Sequence, residues 1–156
     1  GGKVSEKEVT IPIQTPEAPP LELANFGVPV KAWRVEDSAW EWKGNWTAIF
    51  DRRQLTAKET DTPGSEAILK FNGTGIGLCG NLSEHGGRAD VYLDGKKTDL
   101  LADAYIVPNT SDVDLWRMHG LSPGEHTLRF VVRGDADPRS SGKKLMLTSA
   151  IVYLAK

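Results

Sequence analysis

The dipeptide Asp94-Gly95 constrains this chain more than any other feature. It separates two alternating runs, Arg88 to Leu93 and Lys96 to Leu101. A two-residue hairpin turn needs positive φ at both central positions, and Asp-Gly tolerates that conformation well. In the first run Ala89, Val91 and Leu93 point to one side while Asp90 and Tyr92 point to the other. A second signal follows. Gly120-Leu121-Ser122-Pro123-Gly124 is a turn, and His126, Leu128, Phe130 and Val132 then alternate with Thr127, Arg129, Val131 and Arg133. Both features belong to antiparallel β-structure.

Other strand candidates are Val30 to Val35, Thr47 to Phe50, Glu66 to Phe71, Ala104 to Val107, Val113 to Met118 and Lys144 to Leu154. Ile76 and Leu78 form a further pair beside Gly77 and Gly80. The stretch from Arg52 to Thr62 reads as a loop, because Thr60 to Ser65 is a cluster of turn-forming residues. Short strands at close spacing, with no helix between them, predict a sandwich or barrel rather than βαβ units. Residues 1–28 differ. Pro12, Pro16, Pro19 and Pro20 disfavour helix and central strand, so this part is expected to be a linker or a segment laid over the surface. Residues 29–156 then form one β-sandwich domain.

Composition narrows the function classes. The net charge is −2, and the basic residues fall in isolated pairs such as Arg52-Arg53 and Lys96-Lys97. That argues against a nucleic-acid surface. No run approaches the roughly 20 apolar residues of a membrane span. The single cysteine, Cys79, lies between Leu78 and Gly80 and reads as a small buried hydrophobe.

Three turns in this order resemble the galactose-binding-domain-like jelly rolls. Phe71-Asn72-Gly73-Thr74-Gly75-Ile76 is similar to the family's turn between two core strands. Ala89 to Gly95 is similar to its V-x-L-D-G hairpin, and Gly120 to Leu128 to its G-L-x-x-G-x-H-x-L turn and strand. Leu147 to Tyr153 matches the closing strand. The resemblance spans roughly Lys31 to Leu154 and implies an all-β, antiparallel jelly-roll β-sandwich. Such domains serve as carbohydrate-binding modules, or as accessory domains of secreted glycoside hydrolases and esterases. Some relatives hold a structural calcium near an acidic residue of the closing strand. Here Ser149 takes that position and lacks carboxylate oxygens, leaving Asp37 or Glu41 as alternatives. No cofactor is expected.

The chemistry-bearing residues favour binding over catalysis. Neither G-x-S-x-G nor H-E-x-x-H occurs. His126 is in phase with Leu128 and Phe130 and is expected to point inward, bonded to the turn. Five tryptophans are present, and Trp33, Trp40, Trp42 and Trp46 crowd into one segment. Sugar rings stack on aromatic faces, while their hydroxyls need polar partners alongside. Trp33, Trp40 and Trp42 are expected in or around the core. Trp46 with Asp51 and Arg52, and Trp116 with Arg117, are candidate ligand residues. Tyr105, Asn109 and His85 are further candidates, on loops expected to cluster at one end together with Asp112. The function expected is a non-catalytic carbohydrate-binding module, secreted, periplasmic or at the cell surface, whose partners are a glycan and a neighbouring catalytic domain. The alternatives are a structural accessory domain without a sugar site and, with less support, a glycan or ester hydrolase.

Overall fold

The structure is a computed structural model that describes residues 27–155. The expected N-terminal linker or surface segment falls, through residue 26, outside the described residues. Twelve strands are present: β1 (Val28–Arg34), β2 (Trp40–Lys43), β3 (Thr47–Asp51), β4 (Gln54–Thr60), β5 (Glu66–Asn72), β6 (Gly75–Leu82), β7 (Arg88–Leu93), β8 (Lys96–Lys97), β9 (Ala102–Asp103), β10 (Thr110–His119), β11 (Glu125–Val132) and β12 (Leu145–Leu154). No helix occurs among the described residues.

The strands form two six-stranded sheets. One runs β9-β7-β11-β5-β2, with the short β8 on β7. The other runs β10-β6-β12-β4-β3, with β1 on β12. All pairings between named strands are antiparallel. Inward residues of both sheets fill the space between them: Ala67, Leu69 and Phe71 of β5, Val91 and Leu93 of β7, Leu128 and Phe130 of β11 face Ile76 and Leu78 of β6 and Leu145, Leu147, Ala150 and Val152 of β12. This is the sandwich that the alternation predicted, one apolar face per sheet against the other.

The Asp94-Gly95 turn has the expected backbone, with φ of 52° and 83°. The Asn72–Gly75 turn also depends on a small residue. A Cβ on Gly73 would stand 2.6 Å from the Tyr153 carbonyl oxygen, so the turn packs directly on the closing strand. Cys79 is buried, and that burial pushes its thiol above the usual value. His126 is buried as expected.

Three expectations are corrected. Gln54–Thr60 is a strand rather than a loop, because β3 pairs with it on one side and Leu145–Leu147 of β12 on the other. Backbone hydrogen bonds on both sides outweigh its weak alternation. The second arm of the Asp94-Gly95 hairpin is shorter than expected. It is strand only over Lys96–Lys97, after which Thr98 folds back, donating from both its amide and its hydroxyl to the Val91 carbonyl. Finally, the expected strand at Ala104 to Val107 shifts back to Ala102–Asp103.

The topology gives the sandwich two different ends. One carries the chain's entry at β1, the exit of β12, and the β5–β6, β7–β8 and β10–β11 turns. The other carries the β2–β3, β4–β5, β6–β7, β9–β10 and β11–β12 connections.

Candidate functional site

Three connections at the second end lock together through their backbones. The β6–β7 loop lies in the middle. Ser83 donates to Ala104 O at 3.0 Å and accepts from Ile106 N at 3.0 Å, which ties it to the β9–β10 loop. On its other side Gly87 donates to Lys144 O at 2.8 Å, Lys144 donates to His85 O at 2.9 Å and Ser141 donates to Glu84 O at 2.9 Å. Glycine makes this approach possible. A Cβ on Gly86 would overlap the Ala104 carbonyl, and one on Gly87 would overlap Lys143. The Ser140 hydroxyl adds bonds to the Gly86 and Glu84 carbonyls at 2.8 and 3.1 Å.

Between these loops and the end of β6 lies a cleft of about 250 Å³. His85, Asn109, Asn81, Ser111 and Lys144 line it, with Met146 at its base. The side chains are held. The His85 Nδ1 is bonded to the Ser141 hydroxyl at 2.6 Å, which makes Nε2 the ring's other hydrogen-bonding atom. Asn109 Oδ1 accepts the Glu84 amide at 3.3 Å. Asn81 Oδ1 accepts the Asp112 amide at 2.8 Å, while its Nδ2 meets the Met146 sulfur at 2.8 Å. Lys144 Nζ pairs with Glu59 at 3.2 Å. Donors and acceptors therefore ring a small space beside exposed apolar surface from Ile106 and Val107.

The expected loop cluster thus forms for His85 and Asn109. Tyr105 is in the same β9–β10 connection, half-buried, with the Arg139 guanidinium 5.0 Å from its ring centre. Arg139 is itself fixed by Asp137, and its hydrogen bonds hold that carboxyl well below the usual carboxylate range.

The other candidates lie elsewhere. Trp116 is 3% exposed and belongs to the core, with its indole N–H donated to Leu100 O at 2.7 Å. It presents no face to a ligand. Its neighbour Arg117 points to the outer side of the sheet, bonded to Asp114 at 2.5 Å with its guanidinium over Tyr153. Trp46 is half-buried and ends a column of rings. Its edge meets Trp42 at 4.9 Å, and Trp42 stacks on buried Trp40 at 5.0 Å. Its indole N–H is within 3.0 Å of both the Lys43 and Glu66 carbonyls. Asp51 and Arg52 do not join it, because the five residues of β3 separate them by roughly 15 Å of extended chain. They form the tip of the β3–β4 hairpin.

Sequence reasoning missed Asn81, Ser111 and Lys144. Asn81 sits within β6 and Lys144 immediately before β12. Only the pairing of β12 with β4 and β6 brings Lys144 and Asn81 to one cleft.

Asp37 caps the Ala39 amide at 2.9 Å, Glu41 pairs with Lys43 at 3.7 Å, and Ser149 is a buried hydroxyl. No three His, Cys, Asp or Glu side chains converge as metal ligands among the described residues.

No family model matches the chain. The A type blood alpha-D-galactosamine galactosaminidase of Flavonifractor plautii is 36% identical over 90 residues. The match covers 56% of this chain but 8% of that enzyme, so the chain spans a small part of its relative. Among solved structures, a two-domain esterase active on acetylated mannans, co-crystallized with mannopentaose, superposes with a TM-score of 0.60 at 16% identity, over 80% of this chain and 36% of that one. A Paenibacillus xanthan lyase gives 0.57 at 13% identity, over 81% and 13%. The CBM36-1 domain of a multidomain xylanase, from the hindgut metagenome of Trinervitermes trinervoides, gives 0.52 at 12% identity, over 78% of this chain and 94% of that domain. At such identities the likeness is one of fold. That shared fold is an antiparallel jelly-roll β-sandwich.

Proposed function

We propose that this chain is a non-catalytic carbohydrate-binding module, acting outside the cell as part of a longer glycan-active enzyme. The observation that carries this reading is the loop-end cleft. Interlocked loops fix His85, Asn109, Asn81 and Lys144 around about 250 Å³. That is slightly below the roughly 300–1,000 Å³ of drug-sized ligand sites and matches one sugar unit at a chain end or branch. A preorganised ring of donors and acceptors suits sugar hydroxyls, since little ordering cost is added on binding. The partial likeness to a galactosaminidase, and the fold shared with a carbohydrate-binding module and with part of a two-domain esterase, support the same assignment. The partners are a glycan and a neighbouring catalytic domain, and no cofactor is required for recognition of this kind.

Titration of the intact chain against a panel of plant and host glycans tests it. Binding of at least one glycan is expected, and His85→Ala and Asn109→Ala are each expected to weaken it about tenfold, as for one lost hydrogen bond to a polar ligand. One observation favours a second reading, that of a structural accessory domain. Trp116 lies in the core, and the Trp46 indole N–H is taken up by backbone carbonyls. Absence of binding to every glycan tested would select that reading.

A further inference from the structure

The backbone around the loop-end cleft decides which polar atoms its side chains have left to offer. Asn109 Oδ1 accepts the Glu84 amide, and Asn81 Oδ1 accepts the Asp112 amide. A backbone N–H only donates, so each carboxamide oxygen is spent and each side chain is left with its Nδ2 group. The Asn81 Nδ2 meets the Met146 sulfur, a weak acceptor. Lys144 adds an ammonium with three donors, of which Glu59 takes one. Its backbone is clamped on both sides, the amide donating to His85 O and the carbonyl accepting from Gly87. Among the described residues, no acidic side chain lines the cleft. Two carboxylates stand close by in the chain or the sheet, and both are engaged. Glu59 pairs with Lys144, and Asp112 Oδ1 accepts the Thr148 hydroxyl at 2.6 Å.

We propose that this cleft selects a sugar unit that carries a carboxylate, a uronic acid at a chain end or branch. The proposal rests on the reading of the cleft as a glycan site and names the class of sugar it takes. A sugar hydroxyl donates as well as accepts, whereas a carboxylate only accepts. Fixed groups that are mainly amide N–H and ammonium therefore suit a carboxylate better than a wholly neutral ring. Asn109 Nδ2 and Lys144 Nζ receive the carboxylate. His85 and Ser111, which also line the cleft, are left for the ring hydroxyls. Hydrogen bonds to an ionised group are roughly twice as strong as neutral ones, and this sets the preference. The Lys144 side chain is 44% exposed, so solvent and salt limit that preference to about tenfold. An amino sugar brings a cation to the same ammonium and is disfavoured.

NMR titration of the intact chain with matched pairs of methyl glycosides tests this. Glucuronate is set beside glucose and galacturonate beside galactose, so that each pair differs only in the carboxylate. At least one acid is expected to bind about tenfold tighter than its neutral partner, with a preference that shrinks as sodium chloride is added. Lys144→Gln is expected to abolish the preference. Glu59→Gln, which frees the ammonium, is expected to raise it about threefold. The two variants act in opposite directions, so a general loss of structure cannot imitate both. Neutral sugars that bind as tightly as their acids would overturn this inference and leave the functional reading standing. A preference for acids that survives Lys144→Gln would overturn it too. Silence from these sugars and from the whole glycan panel would overturn both.

Discussion

His126 and Asp94 show how much one pair of side chains decides at a turn. The Nδ1 of His126 lies 2.6 Å from Asp94 Oδ2, and its Nε2 lies 2.7 Å from the Ser122 carbonyl. Both partners are acceptors, so both ring nitrogens donate and the imidazolium is favoured. The hydrogen bond to Asp94, followed by that to Ser122, raises the His126 pKa, and the same bond lowers that of Asp94. A raised histidine contributes stability that is complete below its unfolded value of about 6.5 and is lost as pH climbs through the folded value. A lowered carboxylate contributes stability above about 3.8 that is lost as pH falls. Asp94→Asn is therefore expected to move the His126 titration, followed by NMR, back toward the ordinary value and to flatten the loss of stability above neutral pH. An unmoved titration would contradict this account. Gly86 makes a different prediction at the same scale. Gly86→Ala is expected to cost about 3 kcal/mol in denaturant unfolding, because its Cβ would drive the two loops apart at the Ala104 carbonyl. It is also expected to weaken glycan binding in the chains that remain folded.

The strands and turns carry their own lesson. The β3–β4 hairpin turns on Arg52 and Arg53 at φ of 51° and 74°, a conformation that glycine and asparagine adopt more readily. Arg52→Asn with Arg53→Gly is expected to stabilise the chain by about 1 kcal/mol and to leave glycan affinity unchanged, measured by unfolding and by titration. This turn also shows where sequence reading stops. Asp94-Gly95 and Asn72–Gly75 were legible because their residues match the backbone they adopt. Arg52-Arg53 gave no such signal, and the turn-forming cluster at Thr60 to Ser65 made β4 read as a loop until its partners β3 and β12 were in view. The tryptophans divide likewise. Trp40 was expected in or around the core, and it is buried. Trp116 alternates as well in an exposed site as in a buried one. What decides it is the Leu100 carbonyl, sixteen residues away, that receives its N–H.

Across the molecule, the sandwich separates two surfaces by topology. Loops that never touch in sequence meet at one end, where His85, Asn109 and Lys144 converge from three different connections. The chain enters and leaves the described sandwich at the other. The fold was readable from local turns because turns are local. The cleft was only half readable, since His85 and Asn109 sit in recognisable loops while Asn81 and Lys144 reach it through sheet register. The loop end is proposed to recognise carbohydrate. Calorimetric titration of the intact chain with the best glycan from a panel, repeated with His85→Ala and Asn109→Ala, tests it most directly. Saturable binding of the wild type, weakened about tenfold by each substitution with unfolding unchanged, is the expected result. Binding that both variants retain at full strength would contradict it.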